Sequence, residues 1–434
     1  MLHIIQKLYD ENVLISGVDQ GNKSAKFSYL NRDGNIESFA IPTIVAPAED
    51  KKSAVEGSTE TNSIDKKLHL KITSKSLSTV NQERYVYVGH FARNKNGKME
   101  PAYDSLQDSP KSVSHSKFSS DLHLVTTLAG LAVMAARESK EEVYIPYAGG
   151  LPVSEMKELG SEKALESVKG THTIEFMDGP LEKKVVTLII DSGKMYGEGA
   201  ITDLSLNFDV QAGDLVETTL QDRLSNTYAL GDLGAGTSEM IIFTEEGIDG
   251  NLSQSLQVEG TNPYIDRIRE KVDNMEEFQT LKELFDLDES ERAYQSREEF
   301  MSEVIEPAIL EVIRGETASP VFEVRFLKAK KKTDVTEIVM EEIRKYANDH
   351  KKVLTSAWNS AGVDDLVLVG GGLLFGYPVF KEVQEKFQEL QGQEWVVMPD
   401  KVEESPYFTS KGYLIANFIH ITEKEEEGLE SVES

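Results

Sequence analysis

Cysteine is absent from the 434-residue chain. That excludes disulfide scaffolds, thiolate metal sites and cysteine nucleophiles, and it accords with a reducing cytosol. Basic residues are scarce: 46 Lys and Arg stand against 75 Asp and Glu, a formal net charge of −29. A surface so acidic repels the phosphate backbone, which argues against direct DNA binding and for a basic adaptor wherever DNA is involved. No apolar run approaches the roughly 18 residues of a membrane span, so no membrane contact is expected. Gln6 and Lys7 interrupt the short apolar start, MLHIIQKLYDEN, which does not read as a signal peptide. The expectation is a cytoplasmic protein. Its composition, 39% hydrophobic and 28% charged, is globular and supplies more than one core.

Two polar, Ser-rich stretches, 48–67 and 105–120, lack periodicity and read as surface loops or insertions. Short strands are predicted at 68–73 and 84–88 between them, and a core helix over 122–136 after them. Further strands are expected at 184–190, 228–230 and 239–243, then a charged, helical region from about 262 to 350 in which Val335, Ile338, Val339, Ile343 and Tyr346 mark one apolar helix face. Lys328 and Lys330 to Lys332 form the single basic run, read as a solvated loop. A fully apolar strand at 366–369 precedes a helix with Val379, Val383, Phe387 and Leu390 on its buried side and Gly392 as its stop. The last twelve residues form an acidic tail expected to lack order. Strands and helices intermix throughout, so the class is α/β.

Three glycine-rich turns carry the chemistry. In the first, an apolar strand runs into Asp19-Gln20-Gly21-Asn22 and out again through Ala25 and Lys26, a β-hairpin signature. Gly21 and Asn22 tolerate positive φ, and such a turn aims successive N–H groups at one point, suiting a phosphate. Asp19 at the strand end can hold magnesium through water. The second turn, Asp232-Leu233-Gly234-Ala235-Gly236-Thr237, repeats the plan, its glycines admitting a ligand and Thr237 adding a donor. Asp191 also ends an apolar strand, but residues 194–199 offer no second strand to close a hairpin, so Asp232 ranks above it. The third turn, Gly370-Gly371-Gly372-Leu373, ends a buried strand with a surface free of side chains, on which a base and sugar can rest.

In this order, the three turns resemble the phosphate-one, phosphate-two and adenosine motifs of the actin, sugar-kinase and heat-shock-chaperone ATPases. The strings Phe39-Ala40-Ile41-Pro42-Thr43, Val86-Tyr87-Val88-Gly89, Gly149-Gly150-Leu151-Pro152-Val153, Gly260-Thr261-Asn262-Pro263-Tyr264 and Phe408-Thr409-Ser410-Lys411-Gly412-Tyr413 are similar to those of bacterial plasmid-segregation actins of the ParM and Alp type.

That resemblance implies a two-lobed actin-like ATPase fold with a nucleotide cleft between the lobes and a small insertion on each. Lobe I would hold residues 1–228 with a C-terminal return at 402–434 and an insertion at about 32–83. Lobe II would hold 229–401 with a helical insertion at about 262–350. The implied nucleotide is ATP, with GTP open, held with Mg2+ by Asp19, Gln20, Gly21, Asn22, Lys26, Asp232, Gly234, Ala235, Gly236, Thr237, Gly370, Gly371, Gly372 and Leu373. Asp19 and Asp232 would reach the magnesium through water. Glu198, in Tyr196-Gly197-Glu198-Gly199-Ala200, matches the family's water-orienting residue, although the flanking glycines depart from its Pro-Glu-Ser form. The implied activity is an ATPase activated by polymerisation, driving turnover of filaments that segregate plasmid DNA through a basic adaptor bound at a centromere-like site. A small-molecule kinase on the same fold is the alternative.

Overall fold

The computed structural model describes residues 1–21, 23–50, 64–79, 82–93, 121–151, 160–199, 201–328 and 330–433. The loop expected at 105–120, most of that at 48–67, and Pro152, Val153, Asn22 and Ala200 lie outside them. The chain divides into two compact units, Met1–Thr218 with Tyr407–Ser434, and Thr219–Pro406. Both mix sheet and helix.

The first unit opens with an amphipathic helix, α1 (Leu2–Asp10), whose Ile4, Ile5 and Leu8 are buried. Its central sheet runs in the order β5-β4-β1-β2-β3, from Gly193–Gly197 (β5) through Tyr147–Leu151 (β4), Ser16–Gln20 (β1) and Ser24–Leu30 (β2) to Ile36–Pro42 (β3). β1, β2 and β3 form an antiparallel meander, whereas β4 lies parallel to both β1 and β5. A second, six-stranded sheet contains Leu68–Ser74 and Glu83–Val88, where short strands were expected, and Val185–Ile190. Between the sheets lies α2 (Asp121–Arg137), buried at every position from Leu122 to Ala136 and packed on β2 and on Val185–Ile190. Its small residues make that possible: a Cβ on Gly130 would overlap the Phe27 ring. A helix buried on all sides needs apolar residues around its whole circumference, and this one has them.

The other face of the central sheet is covered by the C-terminal helix α6 (Phe408–Glu433), which packs along β1, β2 and β4. Contact is backbone to backbone at Gly17, where a Cβ would overlap the carbonyl of Ser410 and the amide of Leu414. Asn417 then ties the helix down, its Nδ2 donating to the carbonyls of Ser16 at 3.0 Å and Pro146 at 2.7 Å. The helix continues through Glu433, so the acidic tail expected to lack order is helical in its backbone.

In the second unit, Tyr228–Leu233 (β6) pairs antiparallel with Ser238–Thr244 (β7) and parallel with Asp365–Val369 (β8). Leu366 to Val369 are all buried, as a strand covered on both faces must be. Two helices, α4 (Thr336–Ala361) and α5 (Gly371–Gln391), pack on this sheet, and α3 (Thr261–Asp273) packs on α4. Buried Glu342 on α4 is accommodated by three cations: Arg267 at 2.9 Å, Lys271 at 2.8 Å and Lys345 at 2.9 Å. Burial raises its pKa, but those partners outweigh burial and hold it at about 2. Leu390 is 79% exposed rather than buried, because α5 outruns the sheet and residues 388–392 are solvated. Residues 193–197 do form a strand, β5, but it pairs parallel with β4 and does not close a hairpin after Asp191. The positively charged run lies by the small hairpin of Glu323–Val324 and Thr333–Asp334, with Lys330, Lys331 and Lys332 exposed and Lys332 ion-paired to Glu323.

The Gly17 contact yields a test. Gly17→Ala inserts a methyl group between two backbones that cannot move independently, so it destabilises the first unit by about 1–3 kcal/mol, the usual cost of overpacking. A lowered Tm together with easier proteolysis of α6 is the expected result; an unchanged Tm would show that the helix can lift off β1 at no cost.

Candidate functional site

Each unit presents an Asp-x-Gly hairpin, and the two are built alike. In the first, Asp19 faces Lys26 and Gln20 faces Ala25 across the β1–β2 ladder; in the second, Asp232 faces Glu239 and Leu233 faces Ser238 across β6–β7. The glycine that follows is the common element. A Cβ on Gly21 would stand 2.5 Å from the carbonyl oxygen of Ser24, and one on Gly234 would stand 2.5 Å from that of Thr237. Both positions therefore require glycine because of a close backbone approach. Gly21 has no positive φ, so the reason expected for it from turn chemistry is replaced by a steric one.

Support differs between the hairpins. Asp19 is 9% exposed, and its Oδ2 accepts from Lys26 Nζ at 2.8 Å. Gln20 is buried and donates to Thr127 Oγ1 on α2 at 2.6 Å. Thr43 closes the turn by donating to the Gly21 carbonyl at 2.8 Å. The second turn, Gly234 to Thr237, rests on the start of α3. There the amide of Asn262 donates to the Ala235 carbonyl at 3.0 Å, and a Cβ on Gly260 would stand 2.6 Å from the Ala235 carbonyl carbon. Thr237 and Gly236 are exposed at its tip.

Beside β6, the end of β8 brings Gly370, Gly371, Gly372 and Leu373 to the same edge, since Asp232 is in register with Val369. Gly370 adopts φ +89°, and a Cβ there would stand 2.5 Å from Asp232 Oδ1. Gly372 is packed against Tyr346 and Leu233, and Leu373 is fully buried. Of the three glycines only Gly371 faces open space. The bare surface expected from three glycines is thus narrower, because two of them serve packing.

Glu198 follows β5, half-buried, its amide donating to the Leu151 carbonyl at 2.8 Å. Gly197 is in register with Leu151, and Val18 with Gly149, so Glu198 and Gly21 leave the same C-terminal edge two strands apart, about 10 Å. Ligands of parallel α/β sheets collect at such edges. Asn22 lies outside the described residues.

Sequence reasoning missed several supporting groups. Ser238, immediately after Thr237, donates its hydroxyl to Nε2 of buried His350 at 2.9 Å, while Nδ1 donates to the Tyr346 carbonyl at 3.0 Å. Thr43 and Tyr346 stand in segments singled out for other reasons. His350, Ser238 and Thr127 leave no local signal, because their contacts are with residues distant in sequence.

Comparison with known proteins bears on these turns. Residues 17–200 match the family of "Actin like proteins N terminal domain". The structure resembles Bacillus thuringiensis ParM with ATP at TM-score 0.74 and 34% identity, covering 95% of this chain and 100% of that one. It resembles Bacillus thuringiensis ParM with ADP at TM-score 0.71 and 35% identity, covering 94% and 99%. The actin-like protein Alp7A shares the fold at TM-score 0.64 and 18% identity, over 96% and 98%. No curated protein matches the chain by sequence.

His350 makes the second hairpin's support pH-sensitive. Burial lowers its pKa to about 4, the bond to the Tyr346 carbonyl and the charge of Asp349 opposing only in part. Its unfolded pKa is near 6.5, so between pH 6.5 and 4 the unfolded chain binds the extra proton. The stabilisation is complete above about pH 6.5 and is lost as pH falls towards 4, amounting to about 3 kcal/mol. Denaturant titrations of wild type and His350→Gln should therefore converge as the pH is lowered through this window; parallel pH profiles would contradict the assignment.

Proposed function

The chain belongs to the ParM-type family of bacterial actin-like plasmid-segregation proteins, and from that membership we propose that it is a filament-forming ATPase whose nucleotide turnover drives DNA segregation. The observation that carries this reading is the pair of equivalent hairpins, each ending a strand with Asp, then a glycine held against the carbonyl three residues on. One such turn is an ordinary hairpin; two, joined by a glycine-rich strand end beside the second, match the needs of a triphosphate. Relatives of known structure include Bacillus thuringiensis ParM with ATP, with ADP and with AMPPNP.

In this reading the backbone amides of both turns and the Thr237 hydroxyl bind phosphate oxygens, and the Gly370–Gly372 segment receives the adenosine. Lys26 orients Asp19 by their 2.8 Å ion pair. The donor set suits magnesium: among the described residues no three acidic or histidine side chains converge into a cage, and magnesium is characteristically held by one or two carboxylates, phosphate oxygens and water. Asp19 and Asp232 would hold it through water, and when bound it neutralises charge on the β- and γ-phosphate oxygens. Glu198 orients the attacking water. The water oxygen bonds to the γ-phosphorus, the bond to the bridging oxygen breaks, and ADP and phosphate leave. Positioning is most of what this reaction asks of a protein. Polymerisation is the event that completes the catalytic arrangement. Cargo is attached through a basic DNA-binding adaptor at a centromere-like plasmid site, in keeping with the net charge of −29.

Phosphate release and electron microscopy with ATP or GTP and magnesium test the reading. Wild type should form filaments and release phosphate; no filaments with either nucleotide would end it. Asp232→Ala should lose nucleotide-dependent assembly. Glu198→Ala should bind ATP and polymerise but hydrolyse on the order of 10²–10⁴-fold more slowly, leaving persistent filaments; wild-type rates would remove Glu198 from the role. Because subunits so acidic repel one another, added salt should lower the concentration needed for assembly, and a light-scattering series that shows the reverse would contradict the electrostatic argument.

A further inference from the structure

The helix Glu276–Phe285 of the second unit is anchored to the core by Phe278, which is fully buried. Its last turn runs past that core, leaving Leu284 70% exposed and Phe285 57% exposed. Single exposed apolar residues are ordinary, but contiguous ones rimmed by polar groups mark a place where something binds. At about 100° per residue, Leu284 falls on the same flank of the helix as Thr280 and Leu281. That flank is one wall of an open groove of about 530 Å³, and Phe326, Lys331 and Thr333 form the other wall. Leu327, next to Phe326, is 47% exposed as well.

The opposite flank of the same helix has a different chemistry. There Gln279, Lys282 and Glu283 border a second cleft, of about 640 Å³. Five carboxylates line it (Glu270, Asp273, Glu283, Asp286 and Glu289) against two cations, Lys282 and Arg292. Arg292 is already paired with Asp273 at 2.8 Å, so the cleft stays strongly negative. The helix is therefore a ridge with an apolar groove on one side and an acidic cleft on the other. A helix is about 10 Å across, so one partner segment lying over the ridge can touch both.

We propose that this ridge docks a partner protein through a basic amphipathic helix, whose apolar stripe lies on Leu281, Leu284 and Phe326 while its Lys or Arg side chains enter the acidic cleft. An amphipathic helix laid into a groove is a common way for one protein to grip another, and charge complementarity selects a basic one here. A second copy of this chain carries a net charge of −29 and would bring like charge to the cleft. Lys331 on the far wall of the groove, with exposed Lys330 beside it, sets the orientation: it repels the partner's cations on that side and turns them towards the acidic flank. The inference rests on this surface and not on the nucleotide reading, since a chain that hydrolyses no ATP could still dock such a helix.

Fluorescence anisotropy with the full-length chain tests it, using a labelled peptide about five turns long with Leu at helical spacing and Lys between, and a counterpart with Glu in place of Lys. The Leu/Lys peptide should bind and the Leu/Glu peptide should not. Leu284→Ser with Phe285→Ser, and separately Glu283→Gln with Asp286→Asn, should each weaken binding about tenfold. All four side chains are exposed, and asparagine suits the left-handed backbone of Asp286, φ +50°, so both variants should keep the wild-type Tm. If the apolar pair lowers the Tm, the charge pair, which alters no packing, decides alone. Two controls separate a site from general attraction to a negative protein: Glu245→Gln with Glu246→Gln removes two exposed charges elsewhere on this unit, and Leu390→Ser removes an exposed leucine. Both should bind the Leu/Lys peptide within twofold of wild type. Equal weakening in the controls, or unchanged binding in the charge pair, overturns the proposal. So does an apolar pair that binds the peptide normally but loses self-association in sedimentation, which makes the ridge a contact between copies.

Discussion

A carbonyl oxygen pressed against the glycine of each Asp-x-Gly hairpin is the constraint on which the rest of the molecule turns. At Gly21 and Gly234 the backbone three residues on comes so close that a Cβ would stand 2.5 Å from its oxygen. This closure makes each hairpin tight, with the Gly21 amide donating to the Asp19 carbonyl and the Gly234 amide to that of Thr237. It also sets the preceding aspartate at the end of a strand in a sheet too well packed to shift. Asp19 and Asp232 owe their fixed places to that closure and to the ladders that lead into it.

The scaffolding around the two turns follows different chemistry. Beneath the first, α2 is buried on every side, and its small residues let Phe27 of β2 lie against Gly130 while Thr127 holds Gln20. Beneath the second, the support is polar and aromatic: Ser238 bonds to His350, His350 bonds to the Tyr346 carbonyl, and the Tyr346 ring packs among Tyr264 and Phe375. A polar network of this kind fixes one arrangement when all its members are satisfied and becomes a point of weakness when one member titrates. The acid sensitivity assigned to His350 belongs to that second hairpin alone. The charge lodged in α4 at Glu342 is insulated from the same fate by its three cations, which keep the carboxylate ionised far below neutral pH.

Local pattern in the sequence determined most of the elements. Apolar stripes marked α2 and α4, an unbroken apolar run marked β8, and the repeated order of Asp, Gly and a hydroxyl residue marked both hairpins before any contact was known. These features are legible because each depends on residues within a few positions of one another, where periodicity and turn chemistry act. Only the tertiary structure decided the rest. β5 exists because β4 offers it an edge from far away in the chain, the end of α5 is solvated because the sheet stops short of it, and two of the three glycines at the end of β8 are spent on packing against Asp232, Leu233 and Tyr346. Each of those outcomes is a contact between segments distant in sequence, set by how strands and helices fit together, and no local spacing of residues encodes it.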